Sequence, residues 1–440
     1  MPSSIMVQKA LENYMHKFIA DICKEIGPRE SGSKEEELAG NRVEEELKKF
    51  CDKTHQEEFI SSPTAFLGFI RYGSIMVICG IILYWLSLLI DMGWLQIGIN
   101  PLDLALISLG LLRGSSLGLA LSLIASILAV FAVSYFILEV MRYRELVDFM
   151  FPKKKSKNII GTINPTGKVK HTIIFAGHHD SAYEFNIFYY LKTIGSLTIF
   201  IGYVGVIIFS IISVLKTIFY FLPLNLTQVF FWFGIFFLFL TPIAAIYVFF
   251  HSYKPVPGAF DNLSGVSVVL GIGKYLSENK NNPKIYPKNT RIHLISFAGE
   301  EAGLRGSKRY VKAHYEELKK SNTILINMDG IAAKDSAVIF EKETLIGAKH
   351  NPELCNTLLK IAQEQGINAR LGALPFGATD AAAFSRKKLP ATSIGSHELK
   401  GRLPEFYHTR LDTPEVVDKE ALGQILQICL GYIKYIDNLT

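Results

Sequence analysis

Hydrophobic residues are concentrated in four long runs without a single charged residue, and the rest of the chain has ordinary globular patterning. The runs are Gly73 to Ile90, Gly114 to Leu138, Thr193 to Leu215 and Val229 to Phe250. A helix needs about 20 apolar residues to cross the hydrocarbon core of a bilayer. The four runs therefore predict four membrane-spanning helices and make the lipid bilayer an expected partner.

The stretch 92–112 is also apolar, but it contains Asp103 and is interrupted by Asn100-Pro101. This pattern favours a re-entrant or interfacial segment over a fifth span, and the sequence leaves those two alternatives open. An even number of crossings is also required, because the polar segments on either side of each insertion belong to one domain.

Basic residues flank the predicted spans mainly on one side. On that side lie Arg71, Arg142, Arg144, Lys153, Lys154, Lys155, Lys157, Lys192 and Lys254, whereas the opposite loops contain Arg113 and Lys216. Positive charge is enriched in cytoplasmic loops. The predicted protein is thus an integral, multi-pass membrane protein with its soluble domain facing the cytoplasm.

The polar segments predict an α/β domain. At the start of residues 1–70, the apolar residues recur at helical spacing. Ser33 and Glu36 then form a predicted capping box, in which the Glu36 side chain reaches back to the N-cap residue. Short apolar runs typical of buried strands then alternate with helical patterns. The strands are Thr172–Ala176, Ile292–Phe297, Thr323–Met328 and Ala337–Phe340, and the helices are 262–277, 302–319, 351–365 and 418–436. This alternation predicts a mixed, mainly parallel sheet sandwiched by helices.

Two transmembrane hairpins are therefore expected to interrupt one domain. The predicted segments are 1–70 (first helices and strand), 71–141 (first hairpin, spans about 73–90 and 114–138), 142–190 (domain), 191–252 (second hairpin, spans about 193–215 and 229–250) and 253–440 (the remainder of the domain).

The net charge and the cysteine spacing indicate which partners and covalent links to expect. The net charge is +6 and charged residues make up 20% of the chain. Because Lys and Arg cluster beside the apolar runs, we attribute the charge to membrane flanking and expect no nucleic-acid partner. The five cysteines are widely spaced without a CxxC pair, which predicts reduced thiols rather than disulfides.

Polar residues follow three of the predicted strands: Gly177-His178-His179-Asp180-Ser181, Glu300-Glu301 and Asp329-Gly330. Asp261-Asn262 follows the fourth apolar run, and Tyr407-His408 lies near the C-terminus. Carboxyl ends of parallel strands meet at one edge of a sheet. Carboxylates crowded there repel one another unless cations are bound, and His with Asp or Glu is a zinc ligand set.

The motifs GHHDS, GAFDNLSG, FAGEEAGLRGS, NMDG, GATDAAAFSR with KLPATSIG, and YHTRLDTP occur in this order after Ile26-Gly27-Pro28-Arg29 and Gly32-Ser33. Together they resemble the M28 family of zinc metallopeptidases, the di-zinc aminopeptidase-like proteins. The resemblance covers the chain outside the four apolar runs.

The resemblance implies a role for each matching residue. The implied ligands of two Zn²⁺ ions are His178, Asp261, Glu301, Asp329 and His408, with Asp261 as the bridge. Glu300 matches the general base, Asp180 the carboxylate that orients His178, and Tyr407 a hydroxyl that steadies the oxyanion. The implied activity is peptide hydrolysis, with a peptide as substrate and an aminopeptidase as the expected type.

One departure from the family is the spacing of His178 and Asp261, which soluble relatives separate by a short loop. Here the third and fourth apolar runs lie between them. This places the expected active site near the membrane surface.

Other polar residues carry weaker expectations. Asp380 is expected to orient its neighbours, and Asp412 to cap the helix over 418–436. Core or surface roles are expected for His171, His179, His293 and His314.

Three other functions are considered: a glutaminyl-cyclase-like zinc acyltransferase, a non-catalytic membrane scaffold and a transporter. The complete ligand set argues against a scaffold, and the scarcity of ionisable residues in the spans argues against transport. The sequence leaves open the side-chain preference, the choice among amino-, carboxy- and dipeptidase, the physiological metal and the oligomeric state.

Overall fold

The computed structural model describes residues 4–95, 100–112, 114–397 and 404–439, so Arg113 lies outside the described residues. The helices of this part are α1 (Ser4–Glu25), α2 (Lys34–Phe50), α3 (Ala65–Gly68), α4 (Ile70–Asp91), α5 (Pro101–Ser108), α6 (Ser116–Tyr135), α7 (Asn186–Phe219), α8 (Thr227–Val248), α9 (Ser264–Glu278), α10 (Arg305–Lys320), α11 (Pro352–Glu364), α12 (Asp380–Ser385) and α13 (Lys419–Asp437).

The strands are β1 (Lys53–Ser61), β2 (Lys154–Ile163), β3 (His171–His178), β4 (Tyr183–Phe185), β5 (His251–Pro255), β6 (Thr290–Phe297), β7 (Ile324–Ile331), β8 (Ala337–Glu343), β9 (Ala348–Lys349), β10 (Ala369–Leu374) and β11 (Ala391–Ser396).

A mixed sheet of nine strands organises the soluble domain. Its strands lie in the order β1-β2-β6-β3-β7-β11-β8-β10, with β9 paired to β8. The central strands β6, β3, β7 and β11 are parallel to one another. They are buried almost throughout, as the short apolar runs predict. The predicted mixed α/β sheet is confirmed.

Helices cover both faces of this sheet. The larger core layer contains α1, α2, α9, α11 and α13, packed around residues such as Phe175 and Ile292. The other face is covered by α10 and α12, with Phe297 and Phe384 between the helices and the sheet. Both faces of the central strands are thus removed from water, which is the condition for a parallel sheet.

The first helical hairpin is inserted between two paired strands. β1 and β2 are antiparallel, with Lys53 opposite Thr162 and Ser61 opposite Lys154. The chain leaves β1 at Ser61, passes through α4, α5 and α6, and returns to the same end of β2. The connection of an ordinary β-hairpin has therefore been replaced by long apolar helices.

The second helical hairpin is inserted in the same manner. β4 and β5 form a separate antiparallel pair, with Phe185 opposite His251, and α7 and α8 connect them. The four long apolar helices pack as a bundle in which α4 contacts α6 and α8, while α7 contacts α6 and α8. Within the described ranges, four helical stretches are long and apolar enough to cross a membrane: Ala65–Asp91, Ser116–Met141, Ile194–Phe219 and Thr227–Val248.

Polar contacts join the two hairpins at the end of the bundle away from the sheet. The Nζ of Lys216 donates to Asp91 Oδ2 at 2.7 Å, and the hydroxyl of Tyr220 donates to Asp91 Oδ1 at 2.7 Å. Gly118 permits this packing, because a Cβ there would lie 2.7 Å from the Tyr220 hydroxyl. The basic residue that the sequence places in the far loop, Lys216, is therefore buried in an ion pair.

The stretch 92–112 contains one short helix, α5, while residues 96–99 lie outside the described part. The Asn100 side chain caps α5, and Asp103 accepts hydrogen bonds from the backbone N–H of Asn100 and of Ser116, the first residue of α6. Eight residues of helix extend about 12 Å, too little to cross a bilayer. The break at Asn100-Pro101 is thus the start of a capped helix.

Candidate metal centre

The candidate ligands come from the strand ends of the sheet and from two loops beside them. His178 is the last residue of β3, Glu300 and Glu301 follow β6, and Asp329 lies near the end of β7. Asp261 precedes α9, and His408 lies in the loop before α13. Gly177 allows α9 to approach β3 closely, because a Cβ there would come within 2.9 Å of the backbone of Gly265.

The structure brings all five predicted ligands together. Ligand atoms of His178, Asp261 and Asp329 lie within 4.8 Å of one another, and so do those of Asp261, Glu301 and His408. The two oxygens of Asp261 face different imidazoles: Oδ1 lies 3.1 Å from His178 Nε2, and Oδ2 lies 3.0 Å from His408 Nε2. Asp261 therefore lies between two adjacent ligand groups.

Glu300 and Glu301 point to the same site from one turn. The Oε2 of Glu300 lies 3.7 Å from His178 Nε2, and the Oε1 of Glu301 lies 3.3 Å from His408 Nε2. Neighbouring residues of a regular strand would point to opposite faces. Here β6 ends at Phe297, and Gly299, with φ of 65°, turns the chain so that both carboxylates face inward.

Asp180 holds both the His178 ring and the turn that carries Glu300 and Glu301. Its Oδ1 lies 3.4 Å from His178 Nδ1, and its two oxygens accept the backbone N–H of Glu300 at 3.1 Å and of Glu301 at 3.0 Å. The hydroxyl of Ser31 donates to Oδ2 at 2.6 Å. Burial alone would raise the pKa of Asp180, but the hydrogen bond and charge of His178 lower it, so Asp180 is an anion here.

Glu36 supports the same turn from beneath. Its carboxylate accepts the backbone N–H of Gly299 at 3.0 Å, the N–H of Gly32 at 2.8 Å and the Ser156 hydroxyl at 2.7 Å. Half of the predicted capping box is present, since Ser33 Oγ accepts the N–H of Glu36. The Glu36 side chain accepts the backbone N–H of Gly32 instead of that of Ser33. Burial, and next the charge of Asp180, raises the pKa of Glu36 to about 8.

The expectation that Asp412 caps the last helix is wrong. The N-cap of α13 is Asp418, whose side chain accepts the N–H of Glu420. Asp412 is fully buried and accepts the backbone N–H of Phe260 at 2.6 Å and of Asp261 at 3.1 Å. Burial raises its pKa to about 7. The side chain holds the backbone of the central ligand, and its LDTP motif resembles a cap only in sequence.

Arg29 is a positioning residue that the sequence analysis quoted only as part of a motif. Its guanidinium is fully buried and donates to four backbone carbonyls, those of Gly27, His179, Pro257 and Gly258. It therefore ties the end of β3 to the segment that leads into Asp261. The signal in the sequence was the Ile26-Gly27-Pro28-Arg29 motif itself.

Tyr407 and His408 lie against the foot of the second hairpin. The Tyr407 ring stacks on the His408 ring with centroids 3.9 Å apart. Phe185, the last residue of β4, meets the His408 ring edge-on at 4.5 Å and donates its N–H to the His408 carbonyl. Burial, and next the charge of Asp261, raises the pKa of Tyr407 well above its ordinary value, so its phenol stays protonated.

The other histidines of the sequence analysis and Asp380 are not among the candidate ligands. His179 is buried and bonded to the Ser296 hydroxyl at 2.8 Å, and burial lowers its pKa to about 4, so it is a neutral core residue. His171, His293 and His314 contact Leu439, Thr162 and Glu57 away from the ligands. Asp380 is fully buried in the first turn of α12, where burial raises its pKa to about 7 against the opposing charge of His178.

The donor set fits divalent cations. Several carboxylates are buried around two imidazoles, and burial, with the charge of neighbouring acids, raises the pKa of Glu300 and Asp329 well above their ordinary values. Such a group of acids is stable in its ionised form only when cations neutralise it. Imidazole and carboxylate oxygen are the ligands of catalytic zinc sites.

Comparison with known proteins assigns this region. Residues 246–433 match the model of peptidase family M28. The chain therefore carries a peptidase family M28 domain. This confirms the resemblance found in the sequence, and the family implies zinc. Asp261, Glu300, Glu301, Asp329 and His408 lie within the matched residues, whereas His178 and Asp180 precede them.

A curated relative of the M28 domain is Aminopeptidase YwaD of Bacillus subtilis (strain 168). It is 30% identical over 171 residues, which are 38% of this chain and 35% of that protein. The chain thus matches about a third of the length of this relative.

Solved structures share the fold at low sequence identity. A Zn-dependent exopeptidase from Parabacteroides distasonis has a TM-score of 0.51 at 15% identity, covering 96% of this chain and 97% of that one. BSAP, a zinc aminopeptidase from Bacillus subtilis, gives 0.51 at 14%, covering 97% and 95%. Glutaminyl cyclase from Fimbriiglobus ruber gives 0.52 at 13%, covering 96% and 94%.

Replacing Asp412 by alanine is expected to weaken zinc binding about 10- to 100-fold, since the N–H groups of Phe260 and Asp261 lose their acceptor and the central ligand loses its support. The measurement is competition between the purified protein and a chelator of known affinity. Asp418→Ala removes the actual cap of α13 and is the matched control, expected to cost about 1 kcal/mol of stability and leave zinc affinity unchanged. Equal zinc affinity in Asp412→Ala and the parent would contradict the assigned role.

Zinc binding is expected to release protons and to strengthen as pH rises. In the metal-free protein burial would lower the pKa of His408, but Glu301 and Asp261 raise it to about 10, and Glu300 with its neighbours raises that of His178. Both imidazoles are therefore protonated at neutral pH, and zinc requires them neutral. Calorimetry in buffers of different ionisation enthalpy counts the protons released.

The same groups set the pH dependence of stability. Each of these imidazoles, like the Glu300 and Asp329 carboxyls, has a raised pKa in the folded metal-free protein, so the folded state binds more protons than the unfolded state. Stability of the metal-free form then falls as pH rises, from the ordinary carboxyl range through about 10. The difference in Tm between zinc-loaded and metal-free protein should widen between about pH 6 and pH 9. A constant difference would contradict the protonation scheme.

Proposed function

We propose that the protein is a membrane-anchored di-zinc peptidase, of the aminopeptidase type, whose M28 domain faces the cytoplasm. The observation that carries the proposal is the position of Asp261, with one oxygen toward His178 and the other toward His408. A carboxylate shared by two imidazole-containing groups is suited to bridge two cations. The aminopeptidase relative and the two ligand groups support this reading.

Two groups of residues would hold the ions. One consists of His178, Asp261 and Asp329, and the other of Asp261, Glu301 and His408. When bound, zinc supplies positive charge that polarises the scissile carbonyl and makes water a stronger acid. Asp180 sets the orientation of His178 through Nδ1 and keeps Nε2 directed toward the site.

Glu300 is proposed as the general base. Its carboxylate is buried, lies 3.7 Å from His178 Nε2, and is held by the bond between its backbone N–H and Asp180. It accepts a proton from the attacking water at Oε2 and returns that proton to the nitrogen of the leaving amine. Tyr407, protonated at neutral pH, donates its O–H to the developing oxyanion.

Membrane anchoring is proposed from the outer surface of the helix bundle. Large apolar side chains, among them Ile82, Ile127, Phe200 and Phe239, are 53% to 74% exposed there. Soluble monomers rarely expose an apolar surface of this extent. The basic residues at the domain end of the bundle favour a cytoplasmic domain. Because both hairpins enter through loops next to the ligands, the active site would lie close to the bilayer surface.

A glutaminyl-cyclase-like acyltransferase is the second candidate, because proteins with that name share the fold. The likeness concerns the fold alone. Two ligand groups that share Asp261 suit two ions and hydrolysis better than a single zinc. A glutaminyl peptide separates the candidates, since cyclisation releases ammonia and leaves the peptide bond intact.

Glu300→Gln is expected to lower kcat on aminoacyl p-nitroanilides at least 100-fold while two zinc ions per chain are retained, because it removes the base and keeps the shape. Turnover and zinc content are measured on the same detergent-purified samples. Glu316→Gln, an exposed position on α10, is the matched control and should keep full activity. Equal turnover in Glu300→Gln and the parent would remove Glu300 from the mechanism. Acetylated reporters should be inert if the enzyme requires a free amine.

Single cysteines at exposed loop positions test the orientation. Lys168→Cys lies between β2 and β3, and Leu224→Cys lies between α7 and α8. In intact cells a membrane-impermeant maleimide should label position 224 at once and position 168 only after permeabilisation. The background carries Cys79→Ser, since Cys79 is the exposed native thiol. Labelling of position 168 from outside would reverse the orientation.

A further inference from the structure

The end of the first helical hairpin is clamped onto the turn that carries Glu300 and Glu301. Arg305 begins α10 directly after this turn and is almost fully buried. Its guanidinium contacts Glu139 at 3.3 Å and Asp148 at 2.7 Å, on either side of the segment that leaves α6. The Nζ of Lys308 also donates to the carbonyl of Tyr143 at 2.8 Å. The exit of the hairpin is therefore held by α10.

Tyr143 lies at the centre of this clamped segment and packs toward the site. Its ring centroid is 4.7 Å from that of Phe66, and Phe66 in turn covers Gly303, where a Cβ would come within 3.0 Å of the ring. Tyr143 also packs with the cluster that contains Leu304 and Ala382. The ring is thus bracketed by the residues that follow Glu301 on one side and Asp380 on the other.

The backbone is bent to direct the side chain there. Tyr143 has φ of 56°, a conformation that L residues seldom adopt. Arg386 donates to the carbonyl of Arg142 at 3.0 Å, and Lys308 binds the carbonyl of Tyr143, so both peptide groups are fixed. Local strain of this kind persists only where surrounding contacts hold it.

The surroundings of the phenol agree with this placement. Burial, and next the charges of Glu300, Glu343, Glu301 and Asp329, raise the pKa of Tyr143 well above its ordinary value. Tyr143 in turn contributes to the raised pKa of Tyr407. Both phenols therefore keep their protons at neutral pH, and the packing of Tyr143 against Phe66 and Leu304 places its ring beside the turn that carries Glu300 and Glu301.

We propose that Tyr143 is a substrate-contacting residue of the peptidase site, supplied by the first helical hairpin. Its hydroxyl donates a hydrogen bond to the bound peptide beside Glu300, and its ring forms a wall of the cleft with Phe66. This inference rests on the proposed peptidase function. It makes the hairpin a part of the active site as well as an anchor.

The experiment compares two tyrosines with the same backbone conformation. Tyr253 also has φ of 56° and stands at the foot of the second hairpin, but its hydroxyl donates to the Gly68 carbonyl at 3.3 Å. Tyr143→Phe is expected to lower kcat/KM on leucine p-nitroanilide about tenfold, the effect of losing one uncharged hydrogen bond. Tyr253→Phe should stay within twofold of the parent. Zinc content and Tm are measured for all three proteins to confirm equal folding.

A binding measurement gives a readout that does not depend on turnover. In the Glu300→Gln background, the Kd of the intact dipeptide Leu-Ala is determined by calorimetry with and without Tyr143→Phe. We expect a Kd several times weaker when the hydroxyl is absent. A kcat/KM within twofold of the parent together with an unchanged Kd would overturn the assignment of Tyr143. Absence of leucine p-nitroanilide hydrolysis by the zinc-loaded parent protein would instead overturn the proposed function, so the two failures are distinct.

Discussion

The electrostatic cost of burying carboxylates at one edge of a sheet governs the design of this protein. Asp180, Asp261, Glu300 and Asp380 are all nearly inaccessible to water, and two imidazoles lie among them. Like charges at such distances oppose ionisation, as the raised pKa values of Glu300 and Asp329 indicate. Without cations, such a group of buried carboxylates destabilises the folded domain. Bound cations would offset this repulsion, which explains why a folded domain can retain the site.

Backbone N–H groups stabilise the buried carboxylates around the candidate ligands by donating hydrogen bonds to them. Asp180 accepts two N–H groups of the glutamate turn, Glu36 accepts that of Gly299, and Asp412 accepts those of Phe260 and Asp261. Arg29 supplies the complementary contact by donating to carbonyls of the adjoining loops. Hydrogen bonds to buried ions are stronger than those between neutral groups. The candidate ligands are thereby held in place by residues outside the two candidate ligand groups.

Both helical hairpins enter the domain where they touch this network. The first replaces the connection of the β1–β2 pair, and its exit is bound by Arg305 at the end of the glutamate turn. The second replaces the connection of the β4–β5 pair, and Phe185 at its foot packs on His408. An insertion between the ends of antiparallel neighbours leaves the register of the sheet intact. Both hairpins are therefore in contact with the residues that position the site.

The sequence by itself determined the elements whose signals are local. Uncharged runs predict the long helices, strand-like apolar runs predict the central sheet, and polar residues after each strand identify the ligand candidates, because parallel strands bring those positions to one edge. Only the tertiary structure decided which carboxylate supports which backbone segment. Asp412 resembles a helix cap in sequence yet binds the backbone beside Asp261, and Glu36 bonds the Gly299 N–H across the domain. The packing of Tyr143 against Phe66 and Leu304 likewise joins segments distant in sequence, and no local pattern encodes such a contact.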